Sequence, residues 1–161
     1  MPHDSSGAAT INYEDHLGRG CIRCDASLRV VFVIAGDGWP PDHPEHHIGY
    51  EHRLMARCPA CGSVQLEVYD HDCFDYEAVF DQYEWFVIES GSDQLVAYLA
   101  PCPAPLDRTC DCPRHRTMRH ATSNLQRRPW RTALEHEAHV QPVEVRMDTA
   151  SGTPTFQRGR A

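Results

Sequence analysis

Two Cys-x2-Cys pairs, CIRC at 21–24 and CPAC at 58–61, constrain this chain more than any other feature. Two residues between cysteines let both thiolates grip one ion from a tight turn, whose backbone amides can hydrogen-bond to the sulfurs. Two such turns supply Cys21, Cys24, Cys58 and Cys61, a complete tetrahedral shell. The pairs are 33 residues apart, so the intervening chain must run out and return. The alternative is buried cysteines without metal. Eight cysteines in all need a reason. The N-terminus, MPHDSSGAATINYEDH, lacks the basic start and apolar core of a secretory signal, so a cytoplasmic location is expected. Reducing conditions there favour metal binding over disulfides.

The pattern resembles zinc ribbons, in which two knuckles sit beside a small antiparallel sheet. CPACG fits the ribbon turn closely, whereas CIRCD lacks the trailing glycine. Both turns also resemble those of rubredoxin, where iron occupies the site. The longer intervening stretch favours zinc. The ribbon resemblance covers about residues 19–72 and implies one closed, structural Zn2+ site. LRVVFVIA and YEHRLMAR would supply the sheet.

The 161 residues suit one domain with tails, and no run of 18 apolar residues exists to span a membrane. All fifteen basic residues are arginine. Schiff-base, pyridoxal-phosphate and Walker-type lysine chemistries are therefore excluded. Residues 1–100 carry 17 acids and 5 arginines, and residues 101–161 carry 10 arginines and 6 acids. The net charge of −8 thus divides into an acidic body and a basic end.

The β-branched run LRVVFVIAG predicts a strand, and the proline-rich DGWPPDHPEHH a loop. YEHRLMAR, VQLEVYD and YEWFVIES predict further strands. VQLEVYD alternates, with Val64, Leu66 and Val68 on one face and Gln65, Glu67 and Tyr69 on the other, which predicts a half-buried strand. Ser90 or Ser92 can cap a short helix, SDQLVAYLA, and Pro113 can open another, PRHRTMRH. TALEHEAH reads as a helical turn or two, PVEVRM as a strand and ASGTPTFQRGRA as disordered. The expected organisation is a flexible tail over 1–16, a zinc-ribbon-like α+β domain over 17–120, and a largely flexible basic tail over 121–161. The sheet is expected to be small and mainly antiparallel.

A second set of metal-ligand residues follows the sheet: Cys102, Cys110, Cys112 and His115, within fourteen residues. His120 or Cys73 could replace one member, and a proline-braced loop with buried thiols is the alternative. WFVIES through CPRHRTM resembles small uncharacterised bacterial zinc-ribbon proteins, a resemblance that implies no function.

Other clusters carry candidate chemistry. His43, His46 and His47, with Asp42 and Glu45, suit an open metal site or simply a surface loop. Asp70, His71, Asp72, Cys73 and Asp75 suit a hydrolytic or divalent-cation site, or an acidic edge that discourages strand pairing. Cys73 with His71 could form a thiol nucleophile and base, but residues i and i+2 of a strand make no defined proton-transfer geometry. No catalytic residue is assigned.

The function expected is a non-catalytic protein-interaction or regulatory module, such as an adaptor, an inhibitor or an immunity-like protein. Trp39, Tyr76, Tyr83 and Trp85 are its candidate exposed aromatics, and its acidic body suits a basic protein partner. The first alternative is nucleic-acid binding through Arg114, Arg116, Arg119, Arg127, Arg128, Trp130 and Arg131, an arginine–aromatic mixture seen in single-strand binders. The second is a metal-dependent hydrolase.

Overall fold

The computed structural model of the chain describes residues 11–75, 78–123, 125 and 139–158, with the backbone alone described at 73–75, 78–80 and 139. Among these residues six strands form one open sheet. They are β1 (Arg29–Gly38), β2 (Gly49–Arg57), β3 (Val64–Asp75), β4 (Ala78–Ser90), β5 (His139–Met147) and β6 (Pro154–Arg158), hydrogen-bonded in that order. Every neighbouring pair is antiparallel except β4 and β5. Parallel neighbours need a crossover. Here the connection carries α1 (Ser92–Leu99) and α2 (Pro113–Thr122). The fold is α+β with a mainly antiparallel sheet, as the sequence predicts.

LRVVFVIA and YEHRLMAR pair as expected, from Arg29 opposite Arg57 to Gly38 opposite Tyr50. The register shifts between Val30 and Phe32 and again between Val33 and Ala35. The first shift breaks the alternation, so that Val30 and Phe32, two residues apart, join cores on opposite faces of the sheet. Phe32 and Ile34 join the larger core with Met55, Leu66 and Phe86, under Leu95, Leu99 and Met118 of the helices. Val30 and Val33 join a second core with Leu54, Tyr50, Tyr69 and Tyr13. Burying each large side chain contributes roughly 1.5–3 kcal/mol.

β3 departs from the half-buried reading. Val64, Leu66 and Val68 lie in the larger core, but Gln65 and Glu67 are each only 2% exposed on the opposite face. The N-terminal segment covers that face. Ile11, Tyr13 and Leu17 pack there, and the Val30 N–H donates to Glu14 Oε1 at 3.1 Å. Residues 11–16, expected within a tail, therefore close the second core.

The far end of the chain differs likewise. The PVEVRM strand is present as part of β5, and PTFQR, expected to be disordered, forms β6. Val143 is wholly buried, so both strands extend the sheet past the expected boundary at 120. TALEHEAH up to residue 138 lies outside the described residues. The α1 N-cap is Gly91, which makes no side-chain cap, in place of the serines considered from sequence.

Candidate metal centres

The two Cys-x2-Cys turns fold alike. The Asp25 N–H donates to Cys21 O at 2.9 Å, and the Cys21 N–H to Ala26 O at 2.9 Å. In the second turn the Gly62 N–H donates to Cys58 O at 2.8 Å, and the Cys58 N–H to Ser63 O at 2.8 Å. Both turns close through a left-handed residue, Asp25 at φ 62° and Gly62 at φ 78°. The missing glycine in CIRCD is thus replaced by an aspartate in the same conformation. Asp is one of the few non-glycine residues that visit this region.

β2 delivers the second turn beside the first, just ahead of β1. Cys21 Sγ lies 3.6 Å from Cys61 Sγ, and Cys24 Sγ 3.5 Å from Cys58 Sγ. The four sulfurs all lie within 4.8 Å of one another. Cys21 and Cys58 are buried, whereas Cys24 and Cys61 are exposed. The Cys61 N–H points at Cys58 Sγ at 3.4 Å, the amide–sulfur bond of a metal knuckle.

The second set converges as completely: Cys102, Cys110, Cys112 and His115 also offer ligand atoms within 4.8 Å of one another. Cys112 is the N-cap of α2, and its sulfur accepts from the His115 N–H at 3.4 Å. His115 Nδ1 lies 3.3 Å from Cys102 Sγ and 3.4 Å from Cys112 Sγ. Its Nε2–H donates to Val33 O at 3.0 Å, and its ring stacks on Phe32 at 4.3 Å. The carbonyl fixes the tautomer and turns Nδ1 toward the sulfurs, as an outer partner does for a metal-bound histidine.

Thiol chemistry agrees with a cation in each set. The Cys61 N–H bond, with help from Cys24 and Ala60 and against burial, brings the Cys58 thiol down to about 6. Against the upward push of burial, the His115 backbone and ring and the neighbouring thiols bring Cys112 down to about 6. Burial first, then the adjacent thiols, pushes Cys102 up to about 11. One thiolate forms readily and discourages the next, so full ionisation needs a positive ion. The donors, four sulfurs in one set and three sulfurs with one imidazole in the other, are compatible with zinc.

The remaining sequence candidates do not converge on a third set among the described residues. His43 stacks on Trp39 at 4.4 Å, and its Nδ1 accepts from the Glu45 N–H. His46 Nδ1 bonds to Trp39 O at 2.7 Å, while His47 is exposed. His43 and His46 hold their own loop in shape. Asp70, His71 and Asp72 lie along β3, where the His71 ring bonds to Asp81 at 2.7 Å. The Asp70 carboxyl is raised by burial and by Glu51 and Asp72. The side chain of Cys73 lies outside the described residues, and His120 is exposed rather than among the ligands.

The arginines are partly spent inside the fold. Arg119 donates to Ile34 O at 3.0 Å, Arg108 O at 3.0 Å and Cys110 O at 2.8 Å. Arg114 donates to Tyr98 O and lies over the Tyr98 ring, leaving Arg116 exposed. Arg127, Arg128, Trp130 and Arg131 lie outside the described residues, as does Tyr76. Of the other candidate surface aromatics, Trp85 is buried, whereas Trp39 and Tyr83 are partly so.

A buried polar chain escaped the sequence reading. Glu67 Oε1 accepts from the Gly18 N–H at 2.6 Å and the Trp85 indole at 2.8 Å, and Oε2 bonds to His52 Nε2 at 2.7 Å. His52 Nδ1 continues to the Tyr50 hydroxyl at 2.7 Å. The period-2 pattern had placed Glu67 on a polar face, and nothing local signals what covers it. A Cβ on Gly18 would fall 2.5 Å from the Tyr83 ring, so only glycine lets the covering segment approach.

Comparison of the chain with protein-family models, with curated proteins and with solved structures returns no significant match. Among the described residues no helix is long and apolar enough to cross a membrane.

Proposed function

We propose that this chain is a zinc protein whose two sites are structural, and that it works as a non-catalytic protein-interaction or regulatory module. The observation that carries this reading is the convergence of eight side chains into two sets of four, each compact enough to enclose one ion. Four protein ligands fill a tetrahedral zinc shell and leave no position for substrate or water. Zinc bound there would join the N-terminal segment to the β2–β3 turn, and would cross-link the crossover within residues 102–115. The acidic body, residues 1–100, favours a basic protein partner through faster encounter. The use of Arg119 inside the fold supports this reading over nucleic-acid binding.

Metal analysis with X-ray absorption on purified protein tests the proposal. Two zincs per chain are expected, with sulfur-dominated four-coordinate shells and no oxygen ligand. An oxygen-bearing shell would restore a catalytic reading. A thiolate charge-transfer colour would assign iron to the four-sulfur site.

A further inference from the structure

Among the described residues β1 stands at the end of the strand order, so one of its edges has no strand partner there. An unpaired edge is a template for pairing with another chain, and this one is a poor candidate for exposure. Residues 30–36 read VVFVIAG, uncharged, without proline and largely β-branched or aromatic. The crossover covers that edge. The Val33 N–H donates to Pro105 O at 2.8 Å, and Val33 O accepts from His115 Nε2 at 3.0 Å. Ile34 O accepts from Arg119, and Gly38 O from Arg108. Arg119 also ties the crossover to itself through Arg108 O and Cys110 O. The same short segment therefore supplies ligands to the second cluster and partners to the β1 edge. His115 does both with its two ring nitrogens.

We propose that the second cluster gates the edge of β1: with metal bound, residues 105–119 cap the edge, and metal loss frees it to pair with β1 of a second copy of this chain. The inference rests on the metal reading of that cluster. A metal on Nδ1 keeps the other nitrogen protonated, which is the form that donates to Val33 O. Without it, the ring and the turn that carries it lose their anchor. The partner follows from the strand itself. Two copies of β1 paired antiparallel about a two-fold axis through Val33 place Arg29 of each opposite Asp37 of the other. Both residues are exposed in the single chain. Opposite charges would thus flank an apolar centre, and the self-complementary contact closes as a dimer.

The test uses the full chain with Cys110→Ser. It is expected to lose one of two zincs and to dimerise in sedimentation, and, when dilute enough to stay monomeric, to show roughly tenfold faster exchange at the Val33 amide as its cap opens. Adding Arg29→Asp should abolish the dimer, and adding Asp37→Arg to that should restore it. Loss of one zinc from a chain that stays monomeric with Val33 protected overturns the gate and leaves the metal reading intact. An unmutated chain that holds only one zinc overturns the metal reading of the cluster and the gate with it. Should Cys110→Ser fail to fold, the unmutated chain is titrated with chelator until X-ray absorption shows the sulfur-and-imidazole site empty. A dimer that forms as that zinc leaves supports the gate, and a monomer with the Val33 amide still protected overturns it.

Discussion

His52 Nε2 lies 2.7 Å from Glu67 Oε2 in the second core, and both side chains are almost wholly removed from water. The pair survives burial because each remaining polar atom has a partner: Gly18 and Trp85 on Glu67, and Tyr50 on His52. Through Gly18 it also fastens the N-terminal segment to the sheet.

Glu67→Ala should therefore be among the costliest single changes. It strands the His52, Trp85 and Gly18 donors in the interior, and breaking a buried pair from one side costs about 3–5 kcal/mol. Glu67→Gln keeps an accepting oxygen and should cost less. Urea unfolding at constant zinc checks the order, and faster amide exchange at Gly18 should accompany both losses.

Asp25 holds a glycine's conformation in the first knuckle. Asp25→Gly should stabilise the zinc-bound protein by at most about 1 kcal/mol, since relief of the left-handed strain is partly offset by the freedom glycine gives the unfolded chain. Gly62→Ala in the twin turn should destabilise it by about 1–2 kcal/mol, the cost of placing a Cβ in the left-handed region. Thermal melts of the two variants, with zinc stoichiometry unchanged, decide the matter.

Chelation should unfold the knuckle end of the sheet. Structural zinc contributes about 10–16 kcal/mol apparent in small zinc peptides, more than the whole stability of a typical domain. Exhaustive chelation under reducing conditions should collapse the far-UV dichroism, and re-added zinc should restore it. Acid should speed the loss, since each thiolate must take up a proton to leave the metal.

Asp70 gives a pH dependence of definite sign. Burial, Glu51 and Asp72 raise its carboxyl in the folded chain, so the folded state binds that proton more tightly than the unfolded state. Its contribution is most favourable at low pH and is lost as the pH rises through the folded value. Asp70→Asn should therefore raise the melting temperature at neutral pH. The gain should narrow as the pH is lowered through the range in which zinc stays bound.

Much of the scaffold was legible because its signals are local. β1 declares itself through VVFVIA, and Pro113 marks the start of α2. The twin knuckles declare themselves through cysteine spacing alone. β6 was not legible, because PTFQR has no strong period and takes its shape from hydrogen bonds to β5. The burial of Glu67 was not legible either. A glutamate on the polar side of an alternating strand looks solvated until something covers it.

The sequence by itself determined the ligand types, the pairing of two tight turns and the strands that carry them. Those follow from spacing, proline and β-branching, which act over a few residues. Only the tertiary structure decided that His115 faces both a thiolate cluster and the edge of β1, and that Arg119 is held inside rather than offered to a ligand. It also decided that residues 11–18 roof a buried His52–Glu67 pair. Each of these is a contact between segments distant in sequence. Such contacts are set by how the crossover and the N-terminal segment pack on the sheet, which no short window of residues records.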